Sequence, residues 1–161
     1  MRFKVGEKAV YPAHGVAEVT SIEARKVAGC TVDCYILNIL TSGATLMVPI
    51  AVSERAGMRE IISLEKTIEI YGILCKQVKI SHKAWNRRQK EFNDKIRSGL
   101  LLEAAEVYRD LSKLQTMKEL SYGEKQMLEK SKELVLTELS VAKNVPVNEV
   151  KQEIEVALAS A

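Results

Sequence analysis

The segment SLEKTIEIYGILC, residues 63–75, is where the sequence changes from strand-like to helix-like patterning. Ser63 is a residue type that commonly caps helix N-termini, and the apolar residues after it recur at intervals of three and four. They are Leu64, Ile68, Tyr71 and Leu74 or Cys75. The pattern predicts a helix that begins after Ser63 and has these residues as its apolar face.

The residues before this segment predict a small β module. β-Branched and aromatic residues recur in short runs that are separated by turn signals. The runs are residues 8–11, 16–27, 32–40 and 44–50, and the breaks are residues 12–15, 28–29 and 42–43. Four or five short strands in fifty residues bury their apolar faces by curling into a barrel, so we expect a small Tudor-like or SH3-like fold.

The residues after the segment predict helices only. The expected elements are residues 86–97, a helix carrying Leu102 to Leu114, a helix that starts at Ser121 and residues 147–158. Ser121 and Glu124 match the capping box, in which each side chain satisfies a backbone donor of the other residue. The sequence thus predicts an α+β protein with a β domain at residues 1–55 and an all-α domain of about five helices at residues 60–161.

Composition excludes several classes of protein. The 161 residues are 47% hydrophobic, which suffices for a packed core, and they include neither a membrane-length apolar run nor an apolar leader at the start. Cys30, Cys34 and Cys75 are an odd number without a paired motif, which argues against a disulfide framework and a zinc site. We expect a cytoplasmic protein with no metal and no cofactor.

The most basic part of the chain surrounds its single tryptophan. Between Lys79 and Arg97 there are seven basic and two acidic residues, although the net charge of the chain is only +3. Two interpretations of Trp85 are open. If a helix ran through Trp85, it would share an apolar face with Phe92 and Ile96 and would belong to the core.

The second interpretation follows from capping chemistry. Asn86 followed by Gln89 resembles a capping box, which would place Trp85 outside the helix. Trp85 would then not have to lie on the apolar face of that helix. The free N–H groups of the first turn, with Arg87 and Arg88, would then form a site for a phosphate. An apolar wedge beside cations is typical of proteins that enter the minor groove and unstack a base step.

A basic stripe is predicted along the same helix. Lys83, Arg87, Lys90 and Arg97 fall within a narrow helical arc, so they could follow a phosphate backbone. The alternative is an ordinary solvated helix face.

The run at residues 44–50 ends in a proline and predicts a strand at a sheet edge. An edge strand can pair with a strand of a partner, with Leu46, Met47 and Val48 supplying side-chain contacts; alternatively these residues fill the barrel. His14 and His82 have no nucleophile or carboxylate at a motif spacing, so we do not expect an enzyme.

Four groups of residues resemble the CarD/CdnL family of bacterial transcription factors, in an order that covers nearly the whole chain. They are residues 3–12 (FKVGEKAVYP) with His14-Gly15, Val48-Pro49 with residues 57–62 (GMREII), residues 85–88 (WNRR), and residues 105–111 (AEVYRDL) with residues 120–128 (LSYGEKQML). The resemblance implies a Tudor-like module that binds the β subunit of RNA polymerase. It also implies helices that contact promoter DNA at the upstream edge of the transcription bubble and so stabilise the open complex.

The family's functional positions carry over to particular residues of this chain. The polymerase-facing residues implied are Arg25, Leu46, Met47, Val48 and Pro49. The DNA-binding residues expected from the stripe and the resemblance together are Lys83, Trp85, Arg87, Arg88, Lys90, Arg97, Lys125 and Lys130. Some members have arginine where this chain has Met47, which favours an apolar contact there.

Two functions remain in competition at this point. The first is a monomeric factor that binds both polymerase and DNA, with no membrane and no small-molecule substrate. The second is a protein-only adaptor, in which the basic stripe is merely solvated. Salt-sensitive DNA binding would separate them, because phosphate contacts lose affinity steeply as salt rises.

Overall fold

The N-terminal unit is built on an antiparallel sheet. A computed structural model describes residues 2–79 and 85–160, with the backbone alone at Trp85 and Asn86. The chain separates into two compact units, residues 1–61 and residues 62–161. Within its described part, the first unit contains β1 (Lys8–Tyr11), β2 (Gly15–Val27), β3 (Cys30–Ile39), β4 (Thr45–Pro49), α1 (Ile50–Ser53) and β5 (Arg59–Glu60).

The sheet has the order β4-β3-β2-β1-β5, so β4 and β5 form its edges. The long β2–β3 hairpin turns at Ala28 and Gly29, where the sequence predicted a break. Both residues have positive φ, 52° and 81°, as the mirror-image turns that suit the twist of a hairpin require. Register places Glu23, Cys34 and Pro49 in one row across three strands.

The core of the first unit contains aromatic and aliphatic residues from the strands and from both ends of the unit. These are Phe3, Ala9, Ala17, Val19, Tyr35, Leu37, Ile39, Val48 and Met58. The Tyr35 ring packs edge-on against Phe3, and its hydroxyl accepts a hydrogen bond from the Phe3 backbone N–H at 2.9 Å. A buried tyrosine needs a partner for its hydroxyl, and this contact supplies one.

The second unit is helical. Its described elements are α2 (Leu64–Cys75), α3 (Trp85–Arg97), α4 (Leu101–Met117), α5 (Tyr122–Lys143) and α6 (Val147–Ala159). The predicted α+β class, a small β unit followed by about five helices, is confirmed. None of the helices in the described part of the chain is both long and apolar enough to cross a membrane.

The helix caps predicted at Ser63 and Ser121 are present. The Ser63 hydroxyl accepts a hydrogen bond from the Lys66 backbone N–H at 3.2 Å and so caps α2. At the start of α5, Ser121 and Glu124 form the reciprocal capping box. These contacts are local in sequence, which is why the residue pattern alone identifies them.

The predicted apolar face of α2 is confirmed in its second half, where Tyr71 packs against the core and Leu74 is buried, and is wrong in its first half. Leu64 and Ile68 are 63% and 73% exposed, whereas Thr67, Ile70 and Leu74 are the residues that the helix buries. Two stripes at helical spacing run along α2, and contacts with α4, α5 and α6 select the one that faces the core.

Candidate functional site

The described cations of the predicted stripe lie on the solvent side of α3. Arg87, Lys90 and Arg97 are exposed, while Phe92 and Ile96 on the opposite side are buried in the core. Lys83 and His82 lie outside the described residues. The helix therefore presents three positive charges on one side, within reach of a polyanion.

Of the two interpretations of Trp85, the structure favours the one in which the helix includes it, because α3 (Trp85–Arg97) contains both Trp85 and Asn86. Asn86 and Gln89 match the capping motif in sequence, but both lie inside this helix. Tertiary contacts also decide where a helix starts, and the motif does not contain them. Trp85 is thus in the helix register, seven residues before Phe92. The direction of its side chain lies outside what the structure describes, so its role stays a prediction.

Arg87 and Arg88 do not share one environment. The Arg87 side chain is exposed, whereas the Arg88 side chain is 14% exposed and its Nη1 lies 3.9 Å from Glu124 Oε2. The sequence predicted that both arginines would direct their charge to one phosphate. The structure instead brings Arg88 to an acidic residue of α5, so this expectation of a shared phosphate site is not supported.

Glu124 is a buried carboxylate at the start of α5. Its side chain is 1% exposed, and its Oε1 accepts hydrogen bonds from the Ser121 backbone N–H at 2.8 Å and from Lys118 Nζ at 2.9 Å. Burial raises the pKa of Glu124, but the hydrogen bonds from Ser121 and Lys118 outweigh it, and the pKa lies below its ordinary value of 4.5. The carboxylate is therefore ionised at neutral pH.

The contact between Arg88 and Glu124 brings the start of α5 beside the first turns of α3. Lys125, a predicted DNA contact, follows Glu124 and is exposed. Tyr122, which the sequence reasoning missed, is 78% exposed at the same helix end. The capping box could have indicated this exposure. Glu124 occupies the buried side of the first turn of α5, so Tyr122, two residues earlier, lies on a different side of the helix. Lys130, about one and a half turns after Lys125, is half-buried, and its Nζ lies 4.0 Å from Glu133 Oε2.

The predicted polymerase-facing residues lie on β2 and β4 of the first unit. Arg25 is half exposed, and its guanidinium forms an ion pair with Glu23 at 2.8 Å. β4 is an edge strand, as predicted, and Met47 on it is 49% exposed. Leu46 and Pro49 are half-buried.

The predicted role of one of these polymerase-facing residues needs correction. Val48 is buried in the sheet core, so its side chain fills the unit and cannot contact a partner. Leu46 packs partly against the same core. Neighbouring side chains of a strand point to opposite faces, and the exposed Met47 between these two residues follows that rule. Met47 is therefore the most exposed apolar side chain of β4.

No group of three His, Cys, Asp or Glu side chains within the described residues is placed to hold a metal ion. His14 lies in the β1–β2 turn with its ring 5.8 Å from that of Tyr11. The candidate sites in the described part of the chain are the exposed basic side of α3 and the edge strand β4.

Comparison with known proteins agrees with this arrangement of a β unit and a helical unit. The CarD-like/TRCF RID domain, an RNA polymerase-interacting domain, matches residues 3–62, and the CarD C-terminal domain matches residues 69–155. A Bacillus subtilis (strain 168) protein named as a candidate transcription factor, YdeB, is 29% identical over 149 residues, which are 92% of this chain and 97% of that protein. A solved structure, "CdnLNt from Myxoccoccus xanthus", is 49% identical, covers 39% of this chain and 89% of that chain, and has a TM-score of 0.33.

The fold and the matched domains define a transcription factor with an RNA polymerase-interacting domain. The chain belongs to the CarD family. Members of this family are regulators and not enzymes, and the RNA polymerase-interacting domain implies RNA polymerase as a partner.

Proposed function

We propose that this protein stabilises the open promoter complex by binding the β subunit of RNA polymerase with its first unit and promoter DNA with its helical unit. The observation that carries the DNA part is the exposed side of α3, where Arg87, Lys90 and Arg97 follow the single tryptophan of the chain. The exposed Lys125 adds a positive charge from α5.

Such a surface suits binding to the phosphate backbone. The three cations of α3 lie three and seven residues apart, which is helical spacing, while Phe92 and Ile96 anchor the opposite side of the helix. Lys and Arg contacts to phosphate are independent of base sequence, so the protein would recognise the shape and deformability of DNA. Such recognition fits a factor that acts at the edge of a bubble.

Trp85 is the proposed wedge at the upstream edge of the bubble. Membership of the CarD family and the position of Trp85 at the start of the basic helix support this role. An apolar side chain that enters the minor groove unstacks a base step, and the flanking cations hold the bent backbone. A bubble whose edge is held in this way closes more slowly.

The polymerase contact is proposed at β4. An edge strand can pair through its backbone with a strand of the β subunit, and the exposed Met47 would add an apolar side-chain contact. Arg25, paired with Glu23, would lie at the periphery of this surface.

The lifetime of open complexes tests the proposal. A bacterial RNA polymerase with its housekeeping sigma factor would be challenged with competitor DNA in the presence of wild-type protein, Trp85→Ala or Val156→Ala. Val156 is an exposed apolar residue of α6 and serves as the matched control. We expect the wild type and Val156→Ala to lengthen the lifetime and Trp85→Ala to do so much less. Equal lifetimes with and without wild-type protein would reject the function.

One observation favours the alternative of a protein-only adaptor. Leu64 and Ile68 are exposed one turn apart on α2, and exposed apolar pairs of this kind occur in protein contacts. An adaptor would bind polymerase without salt-dependent affinity for DNA. Titration of a promoter fragment with the protein at several salt concentrations separates the two functions, because a factor with several phosphate contacts loses affinity steeply with salt.

A further inference from the structure

Arg88 and Arg87 are adjacent in sequence but differ in their surroundings. Arg87 is exposed, whereas Arg88 is 14% exposed and has its Nη1 3.9 Å from Glu124 Oε2. A cation that contacts DNA phosphates must reach solvent in the free protein. Arg88 is better placed to bind within the protein than to bind DNA.

Glu124 is held in place by contacts other than Arg88. The Ser121 backbone N–H and Lys118 Nζ both donate hydrogen bonds to its Oε1, at 2.8 Å and 2.9 Å. Its Oε2 is buried and makes no hydrogen bond within the described part of the chain. A buried carboxylate oxygen in that state is stabilised by a nearby cation, and Arg88 Nη1 lies 3.9 Å from it.

The attachment of α3 to the rest of the helical unit differs along its length. Phe92 and Ile96 pack in the core, and Lys95 Nζ lies 2.9 Å from Glu106 Oε2 on α4. These contacts hold the middle and the end of the helix. Arg88 lies in the first turn of α3, so its pair with Glu124 restrains the end at which Trp85 and Arg87 lie.

We propose that Arg88 and Glu124 are positioning residues, whose ion pair holds the first turn of α3 against the start of α5 so that Arg87 and Lys90 face the DNA. The inference rests on the proposed function and deepens it. Arg88 then makes no phosphate contact, and Glu124, although acidic, supports DNA binding through the position of α3.

DNA binding by the full-length protein tests this role. The anisotropy of a fluorescent promoter duplex with a premelted bubble would be measured over a series of salt concentrations for wild type, Arg87→Gln, Arg88→Gln, Glu124→Gln and the double variant Arg88→Gln/Glu124→Gln. Arg87→Gln should lower the slope of log affinity against log salt by about 0.9, as the loss of one phosphate contact does. The double variant keeps the net charge of the pair, and it should bind roughly five- to tenfold more weakly with an unchanged slope.

Glu124→Gln gives the sharpest result because electrostatics and positioning predict opposite signs. Removal of a negative charge beside a DNA-binding surface strengthens DNA binding if charge alone matters. Loss of the anchor weakens it, by about the same factor as in the double variant. Unchanged or tighter binding by Glu124→Gln, or a slope for Arg88→Gln that falls as it does for Arg87→Gln, would overturn the inference.

Fluorescence of the single tryptophan gives a readout that needs no DNA. If the pair restrains the first turn of α3, Arg88→Gln should change the acrylamide quenching of Trp85, Arg88→Lys should restore most of the wild-type value, and Arg87→Gln should leave it unchanged. Identical quenching in all four proteins would reject the positioning role. A wild-type protein that fails to bind DNA would reject the proposed function instead, and the quenching series would still decide whether the ion pair holds the turn.

Discussion

The backbone N–H of Ile62 donates a hydrogen bond to Glu138 Oε2 at 2.9 Å, across 76 residues of sequence. Ile62 is the first residue of the helical unit, and Glu138 is a buried residue of α5. The contact ties the entry of the chain into the helical unit to its longest helix. Sequence patterns do not reveal it, because nothing local relates the two residues.

Replacement of Glu138 should destabilise the helical unit. Glu138→Ala removes the charged acceptor of the partly buried Ile62 N–H, and the loss of such a hydrogen bond should cost roughly 1–3 kcal/mol. Urea unfolding followed by far-UV circular dichroism measures the change. Glu133→Ala is the matched control, since Glu133 is a half-exposed residue of the same helix. Equal stability of the two variants would contradict the importance of this hydrogen bond.

Gly72 and Gly57 should respond to alanine in opposite directions. Gly72 lies within α2, and a Cβ there would meet nothing within 4 Å, so Gly72→Ala should stabilise the protein by about 0.5–1 kcal/mol. Gly57 has φ of +97°, and a Cβ would lie 2.7 Å from Pro12 Cγ. Gly57→Ala should therefore destabilise by more than about 1 kcal/mol.

Thermal unfolding of the two glycine variants checks the signs. A loss of stability in Gly72→Ala would mean that α2 needs glycine for a reason other than space. A stable Gly57→Ala protein would mean that the turn at Gly57 can relax away from Pro12.

Acid should weaken the protein in part through Glu124. Its pKa is lowered in the folded state from 4.5, so the unfolded chain takes up the proton more readily. The stabilisation is thus present above pH 4.5 and is lost as the pH falls through the lowered folded-state pKa. We expect Glu124→Gln to be less stable than the wild type at pH 7 and to lose less stability on acidification. Parallel stability curves for the two proteins between pH 7 and pH 3 would contradict this.

Met47 should determine polymerase affinity through apolar contact. Met47→Glu places a charge on the exposed face of β4, and burial of that charge in an interface should weaken binding to the polymerase β subunit roughly tenfold or more. Val5→Glu is the control, because Val5 is also exposed and apolar but lies before β1. The affinity can be measured by biolayer interferometry with immobilised polymerase. Similar affinities of both variants would place the polymerase contact elsewhere than β4.

Local chemistry explains which parts of the fold could be predicted. Ser63, the Ser121 and Glu124 capping box and the Ala28–Gly29 turn depend on residues a few positions apart, so the sequence pattern identified all of them. Runs of β-branched residues and helical periodicity likewise located β1 to β4 and α2 to α6, but the short α1 and β5 were missed. The same local evidence failed at Asn86, where a capping pattern occurs inside α3.

The candidate site was predicted only in part. The exposure expected for Arg87, Lys90 and Lys125 is observed, because charged residues at helical spacing stay in water unless a partner covers them. The surroundings of Arg88 could not be predicted, since Glu124 is 36 residues later in the chain. The resemblance assigned Val48 to the polymerase surface, and its burial favours the alternative that it fills the core, which membership of an edge strand could not decide.

The sequence by itself determined the order of the elements, the caps that begin α2 and α5, and the membership of the CarD family, because these depend on residue types at short or family-specific spacings. The tertiary structure alone decided which face of α2 is buried, which arginine of the pair at 87 and 88 stays in solvent, and how Glu138 holds Ile62. Packing selects among faces and partners that are equivalent locally, and that selection depends on residues brought together from distant parts of the chain.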